Sequence, residues 1–441
     1  MQCPGQEDEM KQKLAFRSII ATVDQGILSL VNFVVALILM RHVEKLEFGT
    51  YSIAFAVVLF LVSIQNAIVN TQLIVLLPGK IDSEKAKYAG GLWLGQFCLL
   101  LPLSCLVVLL TYLLPVFTSG PSMGLVRGIA LAGAGVLIKE FVRAYYFAIE
   151  SPKRVLTLDI LFVSLYAGSV IIFIYFFNYG VFTVFLLMGI SSLLAALCFN
   201  LRHWWIWHPG YLFGSFRENW SHGKWALLGA SVTHLQNYCY VYLLGLLLGT
   251  VAVAEVTASR LLLMPLIMFQ TGWYKIAVPY GARLHADGQL AYFIRKMILT
   301  TLVLVAGTGL YAFIIDSGSG LIETYLLTEK YRSSFDYVFY WGAIFMAKTI
   351  SLNANSALQV MKEFKVISIL CTICMIISIS GSYLLILSYG IKGGLLAMLG
   401  AELLLAILLW MVLLTKVRKV SGWQSCFSFS SEIRSPSYQK N

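Results

Sequence analysis

The chain is 441 residues long, 59% hydrophobic and only 12% charged, with a formal net charge of +11. So small a polar fraction excludes a soluble globular protein of this length, which could not clothe its surface. The basic excess falls mostly between apolar runs, where it reads as a topology signal rather than as a nucleic-acid surface.

Apolar runs of about 20 residues, enough to cross a hydrocarbon core, recur from Ser18 onwards. Lipid leaves backbone polar groups unsatisfied in anything but a helix or a closed barrel, so the predicted fold class is an all-α polytopic membrane protein. In chain order, helices are predicted at about 18–40, 50–77, 89–117, 124–149, 156–178, 181–201, 224–248, 251–278, 297–315, 335–360, 366–388 and 393–415. That gives twelve spanning helices. Residues 1–17 form a polar segment with no cleavage pattern after the first run, so the first helix is expected to stay in the mature chain. Residues 202–223, rich in Trp, His and Arg, make an interfacial linker between six-helix bundles at 18–201 and 224–415, and 416–441 form a Ser-rich tail.

Alternate gaps hold about 21 and about 5 of the Lys and Arg residues, which predicts cytoplasmic termini at both ends. A segment starting at Lys139 aligns without gaps with one starting at Lys348, 209 positions later, and pairs Ala148 with Ala357 and Lys153 with Lys362. Repeats of six helices each are parallel and pseudo-symmetric about the membrane normal.

Six basic residues (Arg127, Lys139, Arg143, Arg260, Lys275 and Lys348) and five acidic ones (Asp24, Glu140, Asp159, Glu255 and Glu402) fall inside predicted spans. Each would cost several kcal/mol against lipid, so they are expected to face a bundle interior or a wet cavity. Lys139 and Arg143 share one face of a helix, where like charges repel and an anion, or carboxylates such as Glu140 and Asp159, would relieve them. Phosphate or pyrophosphate suits a guanidinium and an ammonium together. Lys139, Arg143, Arg260 and Lys348 are therefore the candidate anion contacts. Asp24, Glu140, Asp159 and Glu255 are candidate proton or sodium coupling groups or counter-ions. Pro265 is expected to loosen the helix that carries Arg260.

Gln65, Asn66, Asn70, Asn353 and Asn355 are candidate sugar contacts or amide glue between helices. None of the eight cysteines forms a metal-ligand spacing, and no nucleotide loop or nucleophile elbow is present. Neither a metal, a cofactor nor catalysis is expected.

The stretch VDQGILSLVNFVVALILMRHVEKLEFGTYSIAFAVVLFLVSIQNAIV, with Arg41, Phe48, Gly49 and Tyr51, resembles the opening of polysaccharide flippases. These belong to the multidrug/oligosaccharidyl-lipid/polysaccharide exporter superfamily, and the segment from Arg143 to Lys153 and Arg154 is similar to the family's helix 4 exit. The resemblance implies a MATE-like, V-shaped bundle that flips a polyprenyl-pyrophosphate-linked oligosaccharide, an O-antigen or capsule repeat unit, between leaflets of a bacterial inner membrane. It implies a lipid-linked substrate, membrane lipids and, as partners, a polysaccharide polymerase and a chain-length regulator, with no nucleic acid. A cation-coupled drug exporter of the same superfamily is the alternative, and a membrane polymerase or ligase a more distant one.

Overall fold

The computed structural model describes residues 4–102, 104–105, 123–176, 180–200, 208–325 and 329–421. Residues 202–207 of the predicted linker, the predicted third helix beyond residue 105, and the tail after 421 lie outside the described residues. Every element among the described residues is helical. The first half of the chain supplies α1 (Pro4–His42), α2 (Lys45–Gln65), α3 (Thr71–Leu76), α4 (Asp82–Gly95), α5 (Met123–Ala148), α6 (Pro152–Phe176) and α7 (Val181–Asn200). The second half supplies α8 (Leu212–Leu248), α9 (Thr250–Leu262), α10 (Met264–Ala286), α11 (Leu290–Ser317), α12 (Ser319–Tyr325), α13 (Val338–Val360) and α14 (Phe364–Ser421).

By length and composition, six stretches among the described residues suffice to cross a membrane: 23–42, 45–79, 152–176, 181–199, 290–317 and 364–418. The bent pair α9 and α10 adds a seventh. The last stretch turns back on itself at Gly390, whose φ of 58° a side chain would resist. Beyond that turn Gly393 packs against the Leu385 carbonyl, leaving no room for a Cβ. Helices α5, α8 and α13 are also of spanning length, and they carry the polar residues that lower their hydropathy.

Three departures from the predicted boundaries are the largest. Helix α1 already begins at Pro4, so the polar N-terminal segment is helical from there on. Helix α8 begins twelve residues before the predicted start and runs for 37 residues, about 55 Å at 1.5 Å per residue. The predicted helix over 251–278 is broken: α9 stops at Leu262, and α10 leaves at 57° with Pro265 in its first turn. Proline has no N–H to donate and fits the first helical turn, so it restarts a helix rather than merely loosening one.

Within each lobe, small residues let helices approach. Gly135 on α5 and Gly189 on α7 meet backbone to backbone, which no larger pair would allow. Buried amides do similar work. Gln65 precedes one π-helical turn (Asn66–Asn70) and Gln96 opens another (Gln96–Leu100). Gln65 Nε2 donates to Gln96 Oε1 at 2.8 Å and to the Leu137 carbonyl on α5 at 2.7 Å.

The two lobes meet at both ends of the bundle. At the end carrying Lys45, Gly49 on α2 lies against the Thr250 backbone of α9, and Phe48 packs edge-on to Tyr331 at 5.9 Å. Lys45 Nζ bonds Glu255 Oε1 at 2.7 Å, Ser333 Oγ donates to the same oxygen at 2.8 Å, and Lys330 Nζ donates to the Val43 carbonyl at 2.6 Å. At the end carrying Lys80, the first turns of α8 dock on the N-terminal lobe. Lys80 pairs with Glu218 at 2.8 Å, Asn219 Nδ2 donates to the Ile68 carbonyl at 3.2 Å, and Tyr88 donates to Asn219 Oδ1.

The repeat register is corrected by the helix ends. Glu150 after α5 and Lys362 after α13 share a left-handed φ, 56° and 61°. They also share the closing bonds Ser151 N–H to Tyr146 C=O and Glu363 N–H to Leu358 C=O. These equivalent caps are 212 positions apart, not the 209 of the gapless alignment. Ser351, rather than Lys348, is thus the counterpart of Lys139, and Lys348 lies about one turn further from the cap.

Candidate functional site

The buried charges divide into two very different groups. In the N-terminal lobe, α5 brings Lys139, Glu140 and Arg143 against Asp24 of α1 and Asp159 of α6. Lys139 Nζ lies 2.8 Å from Glu140 Oε1 and 3.2 Å from Asp159 Oδ1, with its ammonium 4.5 Å from the Phe162 ring centre. Arg143 Nε donates to Asp159 Oδ2 at 2.7 Å, Nη1 reaches Glu140 Oε2 at 3.5 Å, and Nη2 pairs with Asp24 Oδ2. Three carboxylates answer two cations, and Lys139, Asp24 and Asp159 are buried. A cluster with a formal surplus of negative charge repels an anion. Apart from Asp24 Oδ1, which has no partner, its charged atoms pair with one another and bind three helices together, in the way buried charges must when water is excluded.

The second group centres on Arg260, and here the surroundings are aromatic and neutral. Because α9 ends at Leu262, Arg260 sits in the last turn of a helix, where the partial negative charge of the terminus favours a cation. Its Nη1 donates to the Tyr240 hydroxyl at 2.9 Å. The guanidinium carbon is 5.3 Å from the ring centres of Tyr238 and Trp341 and 5.7 Å from that of Tyr240. Trp341 is itself fixed by a 3.2 Å bond from its indole N–H to the Val256 carbonyl. Among the described residues no carboxylate pairs with Arg260, and its buried Nε has no hydrogen-bond partner.

Arg260 lines a cavity of about 180 Å³ between the lobes. The N-terminal lobe contributes Asn32 from α1 and Tyr51, Ser52 and Phe55 from α2, and the C-terminal lobe Tyr238 and Tyr240 from α8 and Thr257 from α9. The Thr257 hydroxyl is buried without a partner. One cation, a set of rings and neutral hydrogen-bonding groups can take an anion attached to a body with apolar and hydroxylated faces.

Lys348 is separate from both groups. Its ammonium donates to Asn237 Oδ1 on α8 and makes no ion pair among the described residues. Glu255 belongs to the contact with Lys45 between the lobes and has no bond to Arg260. Arg127 is exposed near the start of α5.

None of the five candidate sugar contacts lines the cavity. Gln65 Nε2 donates to Gln96 and Leu137 and Asn66 accepts from Asn70 at 2.7 Å within one π-helical turn, while Gln65 Oε1 and Asn70 Oδ1 are buried without partners. Asn353 accepts from the Trp273 indole at 3.2 Å, and Asn355 from Gln359 at 3.1 Å, while Tyr274 donates to Gln359 at 2.7 Å. Tyr146 is likewise tied to the Phe199 carbonyl at 2.7 Å. The sequence reading missed Asn32, Tyr51, Ser52 and Thr257 as cavity residues. Of these, Tyr51 stands inside the Phe-Gly-x-Tyr pattern.

No family model matches the chain, and no curated protein matches it in sequence. Solved structures do. The lipid II flippase MurJ in an inward closed conformation superposes with a TM-score of 0.65 at 16% identity, over 92% of this chain and 90% of that one. A multidrug resistance MATE family transporter of the MOP superfamily, in an inward-facing conformation, gives 0.66 at 14% identity over 89% and 95%. A MOP superfamily transporter from Pyrococcus furiosus, described as having a binding pocket of reverse polarity, gives 0.60 at 12% identity over 93% and 96%. The chain therefore has the two-lobed helical fold that the MurJ flippase and the MATE transporters share.

Proposed function

We propose that the protein is a flippase that carries a polyprenyl-pyrophosphate-linked oligosaccharide, an O-antigen or capsule repeat unit, across a bacterial inner membrane by alternating access. The observation that carries this reading is Arg260: a guanidinium without a carboxylate partner, in an aromatic cavity between the lobes, with a free Nε and an unpartnered Thr257 hydroxyl beside it. A burial of this kind is costly unless a counter-charge arrives. The cargo's pyrophosphate supplies it. Rings such as Tyr51 and Tyr238 stack on the adjoining sugar, and the lobes part to admit the rest, since 180 Å³ is the liquid volume of about six waters.

The neighbouring fold of a lipid II flippase supports a lipid-linked cargo. Of the four cations first considered, Arg260 is the pyrophosphate contact. Lys139 and Arg143 hold the N-terminal lobe together with Asp24, Glu140 and Asp159. The drug-exporter reading shares the fold, but a cationic drug would meet Arg260 as a like charge. Both termini are cytoplasmic, as the distribution of basic residues implies, and a polymerase and a chain-length regulator would act on the flipped product.

Reconstitution with labelled lipid-linked oligosaccharide tests the proposal. Wild-type protein is expected to accelerate leaflet exchange, and Arg260→Gln to reduce it at least about tenfold, the loss of one charge-assisted contact. Absence of exchange with every undecaprenyl-pyrophosphate oligosaccharide, together with export of an organic cation, would overturn it.

A further inference from the structure

We propose that Glu402 is a proton-binding site of the C-terminal lobe, linked through Lys348 to the anion site at Arg260. The linkage rests on the reading of Arg260 given above; the protonation of Glu402 does not. Glu402 lies on the second arm of α14 and is only 4% exposed. Its hydrogen-bond partner is Ser351 Oγ of α13, at 3.3 Å, a hydroxyl whose single proton also has the Lys348 carbonyl within reach at 3.0 Å. Lys348, one turn from Ser351 on α13, is near enough for each to feel the other's charge, yet its ammonium goes to the neutral amide of Asn237. The two thiols facing Glu402 come from the first arm of α14, Cys371 and Cys374.

A buried carboxylate and a half-buried ammonium that do not touch lack the geometry that repays their desolvation. This is the reverse of the N-terminal lobe, where Ser351's counterpart Lys139 makes contacts of 2.8 and 3.2 Å with two carboxylates. With a serine in the place of that lysine, the carboxylate on the neighbouring helix has a hydroxyl instead of a counter-ion. Taking one proton from water removes the Glu402 charge. The new O–H then donates to Ser351 Oγ.

Protonation is felt at the cavity by two routes. The charge of Lys348 is no longer offset by Glu402, and Lys348 and Arg260 sense each other directly. Asn237, the acceptor for Lys348, is also the neighbour in sequence of Tyr238, and Tyr238 and Tyr240 hold Arg260. Proton uptake at Glu402 therefore raises the affinity of the cavity for an anion, and anion binding draws a proton in.

The test uses the full chain in nanodiscs, with methanedisulfonate as a probe whose own charge does not change with pH. Infrared titration is expected to show one carboxylic-acid band that appears on acidification and is missing in Glu402→Gln. Through that titration, disulfonate binding should tighten by up to about tenfold per pH unit as pH falls, the limit for one linked proton, and be flat in Glu402→Gln. Lys348→Gln, which removes the nearby positive charge, should move the band to higher pH, and it serves if Glu402→Gln does not fold. Arg260→Gln should abolish disulfonate binding and keep the band. An unchanged band in folded Glu402→Gln, or an unmoved one in Lys348→Gln, overturns the proton site. A normal band without disulfonate binding by the wild type overturns the anion reading and the linkage while supporting the proton site.

Discussion

Arg260 and Arg143 are both guanidiniums at membrane depth, and their surroundings give them opposite roles. Arg143 is saturated by Asp159, Glu140 and Asp24, while Arg260 is held by rings and one hydroxyl. Breaking a buried ion pair leaves an uncompensated charge. Asp159→Asn, which strips both Lys139 and Arg143 of a partner, is accordingly expected to destabilise the fold by about 3–5 kcal/mol. Denaturation of the detergent-solubilised variant checks this, and an unchanged midpoint would contradict the structural role of the cluster. Tyr240→Phe removes only the hydroxyl that accepts from Arg260 Nη1. It should leave the fold intact and cut leaflet exchange by about tenfold, the worth of one hydrogen bond to a charge at the low end of its range.

The sequence made the presence of these charges legible, because ionisable residues stand out in an apolar run. Their partners were not legible. Asp24 and Arg143 are 119 residues apart, and nothing local links them. The choice between an anion site and an ion-pair cluster depended on that tertiary contact. The amides were ambiguous for a related reason: Gln65 has the same composition signal whether it faces a sugar or the Leu137 carbonyl.

Among the elements, the short helices explain more than the long ones. The break at Leu263 sets Arg260 at a helix terminus, and the sequence announced it through Pro265 without giving the 57° angle. The repeat was visible as similar segments, yet its register was off by three residues, since in apolar helices a gapless match of a few identities tolerates a shift of nearly one turn. Only the shared left-handed caps at Glu150 and Lys362 correct it.

The contact of α2 with α9 depends on Gly49, whose hydrogen is all that fits against Thr250. Gly49→Ala is expected to hold the lobes apart at the Lys45 end and raise labelling of a cysteine placed at Ser52 severalfold. Equal labelling with and without the alanine would show that this contact does not control access. Glu255→Gln should have the same sign and a smaller effect, about 0.2–1 kcal/mol, because the Lys45 pair is partly exposed.

At the scale of the whole molecule, the lobes are joined both at the Lys45 end and at the Lys80 end, and the cavity lies between the two seams. The charge distribution predicts that the Lys80 end faces the cytoplasm. Reporter fusions after Asn441 and before Met1 are both expected to read cytoplasmic; external readings for both would invert the orientation proposed here, and a split reading would contradict the even number of spans.

Helix α8 belongs to both bodies. Near its start, Asn219 is anchored to Ile68 of the N-terminal lobe, and 18 residues on, Asn237 grips Lys348. A continuous helix over that interval is about 27 Å long. If it pivots about its docked foot by about 10°, the turn bearing Tyr238 and Tyr240 travels about 5 Å, roughly one helical pitch. The helix is thus a lever whose fulcrum lies in one lobe and whose working end dismantles the cage in the other: an unbroken rod can release a bound anion without any of the residues around it having to unfold.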